Sequence, residues 1–153
     1  MKSTQISELM VKDHKLIMQN IKDLEDIKER DITYINKLFN EFKWNLEKHF
    51  FVEERAVFTF YNPEKVDENY EIFLNLTKQH TDILEEVENI QKKLQKWEPF
   101  DFKDIKKMLL SHKAIEENKL YPVLDQEISE GEKRFIIERI EDIRLGERKY
   151  DEK

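Results

Sequence analysis

The sequence predicts an all-α protein, an up-down-up-down four-helix bundle with a short additional C-terminal helix. Three observations carry this. Two glycines and three prolines in 153 residues leave little material for the turns of a β-sandwich. Apolar residues recur at spacings of three and four along most of the chain. Turn signals are few and evenly placed, so the segments between them are long.

The turn signals are KERDIT, with Asp31 as an N-cap; YNPEKVDEN, with Pro63; KWEPFD, with Pro99 and then Asp101 as a cap; and DQEISEGEK, with Ser129 and Gly131. They delimit helices over about 5–29, 32–61, 67–97 and 102–127, and a last helix over about 131–145 with a charged end. Pro122 falls inside the fourth helix and predicts a kink or break there. Short connections between long helices favour antiparallel neighbours. The whole of 1–153 reads as a single domain, with its core over about 5–127.

Each helix carries an apolar stripe. The first runs Ile6, Leu9, Met10, Ile17, Ile21, Leu24. The second runs Ile35, Leu38, Phe42, Leu46, Phe50, Val57, Phe60. The third runs Phe73, Leu76, Ile83, Val87, Ile90, Leu94, and the fourth Ile105, Met108, Leu109, Leu120, Val123, Leu124. In the last helix Phe135, Ile136, Ile140 and Ile143 form a face that packs on the bundle end or serves as a docking surface.

Composition narrows function. Charged residues make up 40% of the chain and its net charge is −7, which disfavours nucleic acid and anionic membranes as partners. No apolar run approaches the roughly 18–20 residues of a membrane span. The start, MKSTQISELMVKDHK, has charges where a signal peptide needs an apolar core. A cytoplasmic, soluble protein is expected. Without cysteine, thiolate sites are excluded, and a metal has to be held by His, Asp or Glu.

Every stripe has one polar gap, and a histidine fills each. His14 lies between Met10 and Ile17, His49 between Leu46 and Phe50, His80 between Leu76 and Ile83, and His112 between Leu109 and Leu120. Glu53 and Glu116 each stand four residues after a histidine, on the same helical face. At about 1.5 Å per residue all six lie roughly 16–27 Å from their helix ends, so they can meet in one layer. The pattern also repeats: DHKLI then KHFFVEERAVFTFY, and QHTDI then SHKAIEENKLYPVL. A two-fold repeat of ligand types suits a two-metal site.

A lone histidine on an apolar stripe is usually a core residue bonded to a neighbour. Four imidazoles and two carboxylates in one buried layer are another matter, because they are costly without a compensating cation. Glu54, Glu85 and Glu117 stand five residues after a histidine, roughly 140° around an α-helix, and are expected in solvent. Glu85 or Glu117 is the candidate for an extra ligand. Tyr121 and Phe58 read as packing groups. The Glu-x-x-His of carboxylate bundles and the His-Glu-x-x-His of zinc peptidases are both missing. The histidine-rich set favours iron or manganese, with zinc able to occupy it.

With one His on the first helix, His-x-x-x-Glu on the second, one His on the third and His-x-x-x-Glu on the fourth, the chain resembles the hemerythrin-like family of HHE cation-binding domains. The likeness spans roughly 5–145 and includes HKAIEENKLYPVL. It implies a four-helix bundle around two non-haem iron ions with a bridging oxygen species. His14, His49, His80 and His112 would be the imidazole ligands, and Glu53 and Glu116 the bridging carboxylates. Oxygen-carrying members have a further His one turn after the first on the third helix; here that position is Leu84. The missing ligand argues against simple oxygen carriage and for sensing or reactivity. The cysteine-bearing N-terminal segment of iron-centre repair members is not in this sequence. The resemblance thus implies a protein that binds or senses dioxygen, peroxide, nitric oxide or iron, with a protein partner if it signals. Ferroxidase or peroxidase-like turnover is the alternative, and a helical interaction module with incidental metal the third reading.

Overall fold

The computed structural model describes residues 6–27, 32–58 and 68–151. Among the described residues every regular element is helical. Helix α1 spans Ile6–Asp26 and α2 spans Ile32–Val52. α2 runs on into a π-helical segment, Glu53–Phe58. α3 spans Glu68–Gln95 and α4 Lys103–Ile115. A second π-helical segment, Glu116–Leu120, follows α4 and leads into α5, Tyr121–Glu127. α6 spans Glu130–Asp151, longer than the 131–145 the sequence suggested.

Pro122 does sit at an interruption. It occupies the second position of α5, where a missing N–H costs little, and the disturbance falls in the π-helical turn just before it. Asp101 accepts a hydrogen bond from the Lys103 N–H at 3.0 Å, while Phe102 takes the N-cap position of α4. The hydroxyl of Ser129 accepts from the Glu132 N–H at 3.1 Å and caps α6. Asp31, Phe60 and Pro63 lie outside the described residues. α3 ends with Trp97 in the left-handed region, at φ 58°. There the Glu98 N–H bonds the Lys93 carbonyl at 2.9 Å, the closure that usually calls for glycine.

Packing is cyclic: α1 lies on α2, α2 on α3, α3 on α4 and α4 on α1. Two apolar clusters fill the interior. One gathers Ile21 and Leu24, Phe39 and Phe42, Val87 and Ile90, and Ile105 from α1 to α4 in turn. The other gathers Ile6 and Met10, Val52 and Val57, Phe73 and Leu76, and Leu120 and Leu124. Ile136 and Ile140 of α6 close this second cluster, whereas Phe135 is 54% exposed. Each buried Leu, Ile or Phe is worth about 1.5–3 kcal/mol. Each of the chain segments begun by α1 to α4 crosses from one cluster to the other through its histidine, so the polar residues form a layer between two apolar ones. Among the described residues no helix is long and apolar enough to cross a membrane.

Candidate metal centre

The layer is built by four helices and two local distortions. His14 comes from α1, His49 from α2, His80 from α3 and His112 from α4. Glu53 and Glu116 are each the first residue of a π-helical segment. Such wide turns add a residue to the helical circuit and often mark functional sites. None of the six is more than 5% exposed.

Their inward atoms form a closed ring. His14 Nε2 lies 3.0 Å from His49 Nε2, and His49 Nε2 lies 3.1 Å from Glu53 Oε1. Glu53 Oε1 is 3.4 Å from His80 Nε2, which is 3.1 Å from His112 Nε2. His112 Nε2 is 3.0 Å from Glu116 Oε1, and Glu116 Oε1 returns to His14 Nε2 at 3.2 Å. Two groups of donor atoms lie within 4.8 Å of one another: Glu53, His80, His112 and Glu116, and His14, His49 and Glu116. All six residues singled out from the sequence are thus brought together.

Each imidazole is held from behind through Nδ1. The partners are Glu117 for His14 at 3.3 Å, Asp13 for His49 at 3.1 Å, Glu54 for His80 at 3.0 Å and the amide oxygen of Gln79 for His112 at 2.7 Å. All four are acceptors, so each Nδ1 carries a proton. In a neutral ring this leaves Nε2 with a bare lone pair aimed at the centre. A neutral His80 and His112 therefore face each other with lone pairs 3.1 Å apart. Glu53 Oε1 and Glu116 Oε2 have no aligned hydrogen-bond partner among the described residues. The 3.1 Å approach of His49 to Glu53 Oε1 is close but not directed as a hydrogen bond.

Burial, and then the neighbouring His49, push His14 down to about 3. Burial also takes His112 down to about 3, against the pull of Glu53. Burial opposes charge on His49 too, but Glu53 and Asp13 outweigh it and raise it to about 9. Burial works against an ionised Glu53, yet His49 and its hydrogen-bonding neighbours hold it well below the usual carboxylate range. Glu116 moves the other way: burial, and next the Glu53 charge, raise it well above that range. Without metal, His49 thus keeps its proton near neutral pH, and the neutral form of Glu116 is favoured. Inward imidazole nitrogens and carboxylates, with second partners behind the rings, are the donor chemistry of a metal site.

Several neighbours differ from what the sequence suggested. Glu54 is exposed as expected and Glu117 is half-buried, but each also bonds a histidine of an adjacent helix. A 100° helical wheel misses these bonds because each residue lies in a π-helical turn. Glu85 is exposed and supplies no ligand, and Leu84 packs with the first apolar cluster. Tyr121 is more than packing: its buried hydroxyl donates to Glu53 Oε2 at 3.0 Å and lies 3.4 Å from His14 Nε2. Asp13 and Gln79 carried no signal except their place before a histidine.

A small cavity of about 10 Å³ adjoins His14, His49 and His112, walled by Ile17, Met18, Leu46, Phe50 and Leu109 and by Lys113. That is room for about one small molecule. A much larger groove of about 860 Å³, beside Trp97 and Phe100, is lined by none of the six residues.

The family model for the hemerythrin HHE cation binding domain matches residues 5–135. No curated protein and no solved structure matches the chain.

Proposed function

The chain belongs to the hemerythrin HHE cation-binding family, and from that premise we propose that it holds two iron ions in the six-residue layer and binds a small diatomic or peroxide ligand beside them. His14 and His49 would hold one ion, His80 and His112 the other, and Glu53 and Glu116 would reach both. The single observation behind this is the ring of four inward Nε2 atoms and two carboxylates, closed at 3.0–3.4 Å. Reduced iron supplies electrons and an open coordination position to dioxygen, peroxide or nitric oxide. The cavity supports a ligand of only a few atoms, because it is about 10 Å³ in volume and lies against three of the histidines. Leu84 and the exposed Glu85 leave the ligand set one short of that of oxygen-carrying members, which favours sensing or reactivity over simple oxygen carriage. The order in which the helices cross the two apolar clusters supports the up-down-up-down arrangement.

Dioxygen mixed with reduced, iron-loaded protein is expected to change its optical spectrum once, with no sustained consumption of added peroxide. Sustained consumption would favour the enzymatic reading. One observation supports that second reading: the Tyr121 hydroxyl, a proton donor, bonds Glu53 Oε2 with the two oxygens 3.0 Å apart.

Loading has a proton signature as well. The proton on His49 has to leave, so at least about one proton per chain is expected in solution on full loading near neutral pH. Affinity therefore falls as the pH falls. Calorimetric titrations in buffers of different ionisation enthalpy measure the count, and a value near zero would contradict the assigned protonation.

A further inference from the structure

The internal repeat extends past the six inward-facing residues. Asp13 and Gln79 each precede the lone histidine of their half, and they bond Nδ1 of His49 and His112 at 3.1 and 2.7 Å. Glu54 and Glu117 each follow the inward glutamate, and they bond Nδ1 of His80 and His14 at 3.0 and 3.3 Å. Phe58 and Tyr121 stand five residues after that glutamate, and they stack on His80 and His14 with ring centroids 5.8 Å apart in both cases.

The two-fold relation holds in position and fails in chemistry at two places. The Asp13 carboxylate is matched by the neutral Gln79 amide. The Tyr121 hydroxyl is matched by the bare ring of Phe58. In consequence Glu53 Oε2 receives a hydrogen bond from Tyr121, and Glu116 Oε2 has no aligned partner among the described residues.

A carboxylate behind an imidazole N–H raises the basicity of the opposite nitrogen and fixes its direction; an amide does less. His14 and His49 both have a carboxylate behind them, whereas of His80 and His112 only His80 does. Lys113 Nζ, 3.9 Å from Glu117, tempers one of these charges. It leaves the contrast between Asp13 and Gln79 intact.

Resting on the dinuclear reading above, we infer that the two cation positions are unequal. The His14–His49 position fills first, the His80–His112 position second, and Gln79 sets the difference by acting through His112. Limiting metal then gives a one-ion form with a defined occupant, and the second position is the exchangeable one. Gln79 is a positioning and affinity-setting residue, not a ligand.

The test is a titration of metal-free, full-length protein with Zn²⁺, followed by calorimetry and by the ¹⁵N signals of the histidine rings. The wild type should take up two ions in steps separated by about 10–100-fold, the usual effect of changing an outer partner. The first equivalent should shift the His14 and His49 rings. Gln79→Glu should tighten the second step and close the gap, and Asp13→Asn should weaken the first. Gln79 is half-buried and the change to Glu preserves its shape, so folding should be unaffected. Two equal steps in the wild type, or a Gln79→Glu variant that moves neither, would overturn the inference and leave the metal reading standing. No uptake of Zn²⁺ at all would overturn both.

Discussion

Glu116→Gln is expected to reduce metal content from about two ions per chain to less than one while leaving the helical fold intact. Glu116 belongs to both groups of donor atoms, so losing its charge weakens both positions. The fold should survive because burial and the Glu53 charge favour the neutral form of Glu116, and a glutamine has nearly the same shape as that neutral acid. Its unfolding free energy should change by less than about 1 kcal/mol. Glu53→Gln is the instructive contrast. Glu53 is the ionised carboxylate paired with His49, so its replacement strands a buried partner and should cost about 1–3 kcal/mol without metal. Elemental analysis beside urea unfolding separates the two variants. Full metal content in Glu116→Gln would show that the layer is not the site.

Metal should also govern stability. Four imidazoles and two carboxylates in the middle of a helical core are poorly compensated until a cation arrives. At a free-metal concentration a thousand times the dissociation constant, one site stabilises the folded chain by about 4 kcal/mol. For a chain of this size that is a rise of roughly 8–16 °C in melting midpoint. A chelator should reverse it, and Glu116→Gln should abolish most of it. A midpoint indifferent to metal and chelator alike would mean that the polar layer is satisfied without a cation.

The six inward-facing residues were legible because histidine is rare in this chain and each one interrupts an apolar stripe. The helices were legible from the same stripes, to within a few residues at most described ends. The partners behind the histidines were not. Asp13 and Gln79 act across to the neighbouring helix, and no spacing within one helix encodes that. An α-helical wheel turns Glu54 and Glu117 toward solvent, which holds for the exposed Glu54, but the π-helical turns that begin one residue earlier, at Glu53 and Glu116, bring both within reach of a histidine. The role of Tyr121 depends on the same second turn and on the approach of Glu53 from α2's extension. A wheel drawn at 5.4 Å pitch carries no information about any of these contacts.

The most direct test of the dinuclear centre is the metal content of protein made in iron-replete cells without added zinc, measured by elemental analysis per chain. About two irons per chain, falling sharply in His49→Ala, is the expected result. Protein that holds no iron and keeps its stability under a chelator would contradict it and leave a helical module with a polar layer that binds nothing.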